Sequence, residues 1–162
     1  MPLPRLLLLV LACAALLAAG CGSDSEESSS SKAEATSTPS KTKPEITVPK
    51  GKAPKKLVIN DIEEGTGETA EAGKQVTVQY VGISFLNGRQ FDASWDRGEP
   101  FQFQLGSGSV IPGWDQGVEG MKVGGRRQLV IPPDLAYGPQ GSPPTIGPNE
   151  TLVFVIDLLS VG

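Results

Sequence analysis

Val110-Ile111-Pro112-Gly113-Trp114-Asp115-Gln116-Gly117-Val118 is the stretch on which the reading of this chain turns. Two branched apolar residues leave a Gly/Ser-rich loop, Gly106 to Ser109, and Pro112 then opens a helix. Proline suits the first helical position, because its missing N–H has no partner to lose there and its φ is already near the helical value. Gly117, Gly120 and the Gly124-Gly125 pair limit that helix to about two or three turns. Trp114 therefore sits just inside a very short helix, with β-type sequence on both sides. So short a helix cannot bury an indole alone; the ring has to lie against a sheet. Trp114 is then either the apolar floor of a pocket rimmed by Val110 and Ile111, or ordinary core.

Outward from this stretch the chain alternates as strands do. Residues 57–62 read as a strand, and Gln75-Val76-Thr77-Val78-Gln79-Tyr80-Val81-Gly82 places Val76, Val78 and Tyr80 on one face. Asn87-Gly88 is the favoured pair for a tight hairpin turn; it leads into a strand over residues 89–95 and a loop over 96–100. Phe101, Phe103 and Leu105 alternate inward. After the helix, residues 126–131 form a strand closed by Pro132-Pro133, with Arg126 and Arg127 read as solvated strand-edge charges. Asp134-Leu135-Ala136-Tyr137-Gly138 is a turn presenting a tyrosine, and residues 139–150 form a Pro/Gly loop. Residues 151–159 are a near-continuous apolar run, as in a central strand covered on both faces. Together these predict an α+β fold: a half-barrel of five to six antiparallel strands around one short helix.

Composition narrows the chemistry. The 162 residues include no histidine and two cysteines, which excludes zinc sites of the usual ligand sets, Ser-His-Asp triads and Cys-His nucleophile pairs. No cofactor or metal is called for; carboxylates, Tyr, Arg, backbone amides or shape must do the work. Residues 57–162 carry 13 acids against 6 bases, whereas residues 22–56 carry 5 acids against 7 bases. An acidic domain argues against nucleic acid as a partner.

The chain divides into three parts: residues 1–20, 21–56 and 57–162. The apolar run Leu6 to Ala19, 14 residues, is short for a transmembrane span of about 20 residues and fits the apolar part of a secretory signal peptide. It ends in Leu17-Ala18-Ala19-Gly20-Cys21, which resembles the lipobox of bacterial lipoproteins, with Ala18 departing from the commoner Leu. The expectation is lipidation of Cys21 and an exported protein held at the outer face of a bacterial membrane, or at a periplasmic membrane face. An ordinary cleavage site near Ala19 and an uncleaved anchor are the alternatives. Residues 21–56, rich in Ser, Thr, Lys and Pro, are too polar to bury a core and read as a disordered tether. The lysines at 41, 43, 50, 52, 55 and 56 are either solvated or able to meet anionic lipid or wall polymer.

Tyr80, Phe91-Asp92, Phe101-Gln102-Phe103, Val110 to Trp114, Pro133-Asp134-Leu135-Ala136-Tyr137-Gly138 and Leu152-Val153-Phe154 stand in the order and spacing of the FKBP-type peptidyl-prolyl isomerases, which the chain resembles from about Lys56 to its end. The resemblance implies a curved antiparallel sheet wrapped on the short helix, with an apolar pocket between them. Carried over by position, the pocket is lined by Tyr80, Phe91, Asp92, Arg97, Phe101, Val110, Ile111, Trp114, Tyr137 and Phe154, with Ile146 in an overhanging loop. Ser109 stands where an acidic residue is usual, and Ser142 and Thr145 replace a His and a branched apolar residue at the rim. The 139–150 loop lacks the large insertion that makes some bacterial relatives strong chaperones.

The resemblance also implies roles. Trp114, Phe101, Phe154, Val110 and Ile111 would hold a prolyl ring. The Ile111 N–H and the Tyr137 hydroxyl would pair with substrate carbonyls, and Asp92, oriented by Tyr80 and Arg97, would face the twisting bond. The expected partners are proline-containing segments of exported proteins and macrolides, and the expected state is a monomer. Two other functions compete: a catalytically weak module binding Pro-peptides or macrolides, favoured by the altered rim, and a wall-interaction domain, which would need an exposed aromatic stripe.

Overall fold

The computed structural model describes residues 41–162. The signal peptide and Cys21 expectations lie outside the described residues. Six strands, all antiparallel, form one sheet: β1 (Val58–Glu63), β2 (Gln75–Ser84), β3 (Gln90–Ala93), β4 (Phe101–Gln104), β5 (Arg126–Ile131) and β6 (Leu152–Val161). The order across the sheet is β1-β5-β6-β2-β3, and β4 also pairs with β2. β3 and β4 share one edge of β2: Val81 and Gly82 face Ala93 and Asp92, while Val76 and Val78 face Phe103 and Phe101. Between them the chain leaves the sheet as a one-turn helix, α1 (Ser94–Arg97).

The second helix, α2 (Pro112–Val118), opens on the proline and lies on the inner face of the sheet. Its glycines do more than end it. A Cβ on Gly113 would stand 2.4 Å from Ile131 Cγ2, and one on Gly117 2.5 Å from Leu129 Cδ1. These two positions, four apart on one face, let the helix backbone rest directly on β5. Trp114 and Val118 are then driven into a core of Val76, Val78, Tyr80, Phe103, Leu129, Ile131, Leu152, Phe154, Ile156 and Leu158. Burying an indole here is a large stabilisation: large-to-small substitution of such a ring costs about 3–5 kcal/mol.

Outside the site, the structure departs from the sequence expectations at four places. Residues 89–95 are not one strand. β3 ends at Ala93, because the buried Ser94 accepts the Tyr80 N–H on Oγ at 2.8 Å and turns the chain into α1. The Asn87-Gly88 turn is wider than a two-residue hairpin, since Asn87 Oδ1 accepts the Arg89 N–H at 2.9 Å while Ser84 N–H reaches Arg89 O at 2.9 Å. Arg126 and Arg127 are not solvated. Arg126 forks onto Asp157 at 2.6 and 2.8 Å, and Arg127 pairs with Asp61 at 2.5 Å while capping the C-terminal end of α2 through Gly117 O at 2.9 Å and Glu119 O at 3.1 Å.

The fourth departure concerns the tether. Residues 41–48 do not extend freely as the 21–56 boundary implied; they lie as a strap on the outer face of the sheet. Lys41 Nζ bonds Glu63 at 2.8 Å, Thr42 O accepts Arg126 Nη2 at 2.9 Å, and Lys43 Nζ bonds Asp96 at 2.5 Å. Ile46 and Val48 pack with Phe85 and Trp95 on Val81, Ile83, Ala93, Val130 and Val153. The two apolar residues in this polar segment suffice because the sheet's outer face is itself apolar and would otherwise be wet. The expected cover on both faces of the last strand is thus real: residues 152–158 are all buried, with α2 on one side and the strap on the other.

Candidate active site

Between α2 and the concave face of the sheet opens a cavity of about 500 Å³, within the usual range for a small-molecule or peptide side-chain pocket. Its floor is Trp114, 4% exposed. Tyr80 from β2 meets the indole edge-on at 5.0 Å and 84°, and Phe154 from β6 does so at 5.3 Å and 88°. Phe101 from β4 closes a third side at 6.1 Å, and Phe91 from β3 stands edge-to-face on Phe154 at 5.4 Å. Such edge-to-face pairs set positive ring edges on negative ring faces, which fixes the cup's shape beyond simple burial. Gly82 makes room for it, because a Cβ there would lie 2.7 Å from both the Phe154 and Phe91 rings.

The rim is built from the ends of elements. Val110, Ile111 and Pro112 border the cavity where the Gly/Ser loop enters α2, and Ser109 stands beside them. Asp115 clamps that loop: its Oδ1 accepts the Gly106 N–H at 2.8 Å and its Oδ2 the Gly108 N–H at 3.1 Å. Ile111 O takes the first helical N–H, from Trp114, at 2.8 Å, whereas the Ile111 N–H has no partner among the described residues. Tyr137 follows the 3-10 turn Pro133–Leu135; it is 41% exposed, and its hydroxyl makes no hydrogen bond among the described residues. Two residues lining the cavity, Ile111 and Tyr137, thus carry donors without a partner among the described residues.

The polar wall is a three-residue unit. Asp92 accepts the Tyr80 hydroxyl on one oxygen and Arg97 Nη1 on the other, and Arg97 Nη2 donates to Tyr80 Oη at 2.9 Å. The Arg97 guanidinium also lies 5.6 Å from the Tyr80 ring centre, a cation–π distance. Burial, and then the hydrogen bond to Asp92, push the Tyr80 phenol up from 10.0 to about 12. Burial, and then the charge of Asp92, also raise Tyr137. Both phenols are neutral donors at any physiological pH. Hydrogen bonds to Tyr80 and then to Asp92 raise Arg97, so the guanidinium stays charged. Among the described residues no three His, Cys, Asp or Glu side chains converge as metal ligands.

Of the residues named from sequence, Tyr80, Phe91, Asp92, Phe101, Val110, Ile111, Trp114, Tyr137 and Phe154 line the cavity together. Arg97 stands behind the wall, on Asp92 and Tyr80. Ile146 is placed elsewhere: 6% exposed, it packs into the inner core beneath the 139–150 loop, turned down by paired backbone bonds of 2.9 Å with Ser142. Pro112, Asp115 and Gly82 were missed. An acid in the first turn of a helix that follows a glycine loop is a usable signal for Asp115; Gly82 left none, since nothing local tells that two rings from distant strands close over it.

The site is thus an aromatic cup with one wall formed by the Asp92 carboxylate, paired with Arg97 and Tyr80. Residues 66–159 match the family described as FKBP-type peptidyl-prolyl cis-trans isomerase. An FK506-binding protein of Streptomyces anulatus is 59% identical over 120 residues, covering 74% of this chain and 97% of its own, and a probable FK506-binding protein of Corynebacterium glutamicum is 54% identical over 118 residues, covering 73% and 98%. The crystal structure of FkpA from Escherichia coli is similar with a TM-score of 0.60 and 48% identity, over 65% of this chain and 47% of FkpA. The chain belongs to the FKBP-type peptidyl-prolyl cis-trans isomerase family, and its enzyme class is that of the family.

Proposed function

We propose that this isomerase acts on X-Pro bonds of exported polypeptides and does so without covalent chemistry, through the cup on Trp114. The observation that carries the reading is the junction of a desolvated aromatic floor with the Tyr80–Asp92–Arg97 wall. Rotation about X-Pro is opposed by about 18–20 kcal/mol because amide resonance has to be broken. In the twisted state the carbonyl is less polar and the nitrogen becomes a hydrogen-bond acceptor, so a dry pocket favours it over the planar, strongly solvated amide. A gain of about three to four orders of magnitude requires only about 4–5.5 kcal/mol.

In this scheme Phe101, Val110, Ile111, Trp114 and Phe154 hold the prolyl ring. The Ile111 N–H and the Tyr137 hydroxyl pair with carbonyls on either side of it. Asp92, held by Tyr80 and Arg97, presents its field to the twisting bond. The same cup is offered to macrolides, as the names of the FK506-binding relatives indicate for those proteins. Lipidation at Cys21 would hold the protein, as a monomer, at an extracytoplasmic membrane face. Exchange NMR on a short proline peptide tests the mechanism. Asp92→Ala is expected to lower kcat at least tenfold, and Tyr137→Phe to raise KM with kcat nearly kept. Wild-type rates in both variants would remove the assignment, and mass spectrometry of the mature N-terminus decides the anchor.

A further inference from the structure

Away from the isomerase cup, a second surface combines charge and exposed apolar area. Lys50, Lys52, Lys55 and Lys56 are all exposed, with no acid among residues 50–56. The middle of this segment, Ala53, borders a shallow groove of about 350 Å³ together with Phe85, Leu86 and Pro148. Leu86 is 84% exposed, the most exposed large apolar side chain among the described residues. Glu150, the acid beside the groove, has its oxygens occupied by the Ser84 hydroxyl and by the Gly147 N–H. The rest of the domain is opposite in sign, with 13 acids against 6 bases over residues 57–162.

We infer that this face, the 50–56 lysine segment that meets Leu86 across the groove at Ala53, docks the domain on an anionic lipid bilayer. An exposed lysine segment beside a protruding leucine matches the two attractions an interface offers, headgroup charge and an apolar layer beneath it. The acidic remainder is repelled by the same surface, so the domain is held in one orientation rather than merely attracted. Twenty positions separate Cys21 from Lys41. An anchor so near holds the patch at high effective concentration, and a weak surface contact becomes sufficient. The inference rests on the membrane-tethered reading, but the contact itself is distinct from the anchor.

Amide hydrogen exchange on the full chain tests it, in phosphatidylcholine vesicles with and without phosphatidylglycerol. Amides of residues 50–56 and 84–89 are expected to gain protection only with phosphatidylglycerol and to lose it at about 1 M salt, where screening reaches about 3 Å. Replacing the four lysines by glutamine is expected to abolish that protection, each lysine contributing roughly fivefold in affinity, while exchange in the inner core stays as in the wild type. No protection with phosphatidylglycerol, or equal protection on phosphatidylcholine alone, overturns the proposal. So does equal protection by soluble polyglycerol phosphate, which would make the surface a polyanion site. Retention of the chain on phosphatidylcholine vesicles reports the anchor separately, so a failed anchor and a failed patch give different patterns.

Discussion

At the scale of single residues, the groups that shape the site work in pairs. Asp115 touches no part of the cavity, yet its two oxygens hold the Gly106 and Gly108 amides of the loop that delivers Ser109, Val110 and Ile111 to the rim. Hydrogen bonds to a charged acceptor are worth about 1.5–3 kcal/mol each when lost. Asp115→Ala is expected to raise KM for a proline peptide several-fold with kcat largely retained, and Asp115→Glu to restore it in part. Steady-state rates on a peptide series check this, and a loss confined to kcat would contradict it.

Tyr80 carries a second prediction at this scale. Its phenol is held near 12 in the folded protein against 10.0 otherwise. Between those values the unfolded chain has released a proton that the folded chain keeps, so stability is complete below about pH 10 and falls as pH rises towards 12. Tyr80→Phe is expected to remove that part of the alkaline loss, measured as the denaturation midpoint against pH. An unchanged alkaline slope would show that the phenol is not so held.

At the scale of elements, the seating of α2 on β5 decides where the indole lies. Adding one methyl at Gly117 would put it 2.5 Å from Leu129 Cδ1, and at Gly113 2.4 Å from Ile131 Cγ2. Overpacking of this kind costs about 1–3 kcal/mol, against less than about 1 kcal/mol gained from helix propensity. Gly117→Ala is therefore expected to lower stability despite being a better helix former, and the double variant Gly117→Ala/Leu129→Val to recover part of it. Chemical denaturation measures both. Gly117 shows how sequence can name an element and miss its reason: it reads as a helix limiter, and only the adjacent strand shows that it is contact surface. The same holds for Ser94, whose polarity gave no sign that it would be buried and would break a strand into β3 and α1.

At the scale of the whole molecule, the domain begins before its sheet does. Asp157, 1% exposed, sits on the outer face of β6 beneath the strap, bound by Arg126 and 3.9 Å from Lys41. Removing one member of a buried pair leaves the other uncompensated, at about 3–5 kcal/mol. Asp157→Ala is expected to lose about that much in denaturant titration. The apolar half of the strap predicts a smaller effect: Ile46→Asp, which wets the face over Val81 and Ile83, is expected to destabilise by about 1–3 kcal/mol while leaving KM unchanged, since the cup lies on the other face. If Ile46→Asp leaves the midpoint where it was, residues 41–48 contribute nothing to the fold.

Sequence alone determined the strand alternation and the helix opened by Pro112, because each depends on residue type and short-range spacing, and it indicated the cup only through a positional resemblance to the FKBP-type isomerases. Nine of the predicted pocket residues come together in the cavity. Tertiary structure alone decided the rest: the inward turn of Ile146, the clamp by Asp115, the burial of Arg126 against Asp157, and the strap that a polar composition had assigned to the tether. Each depends on a surface supplied by a distant part of the chain. An apolar sheet face can capture two side chains from a segment that could never bury a core of its own, and a charge is solvated or buried according to what is folded over it.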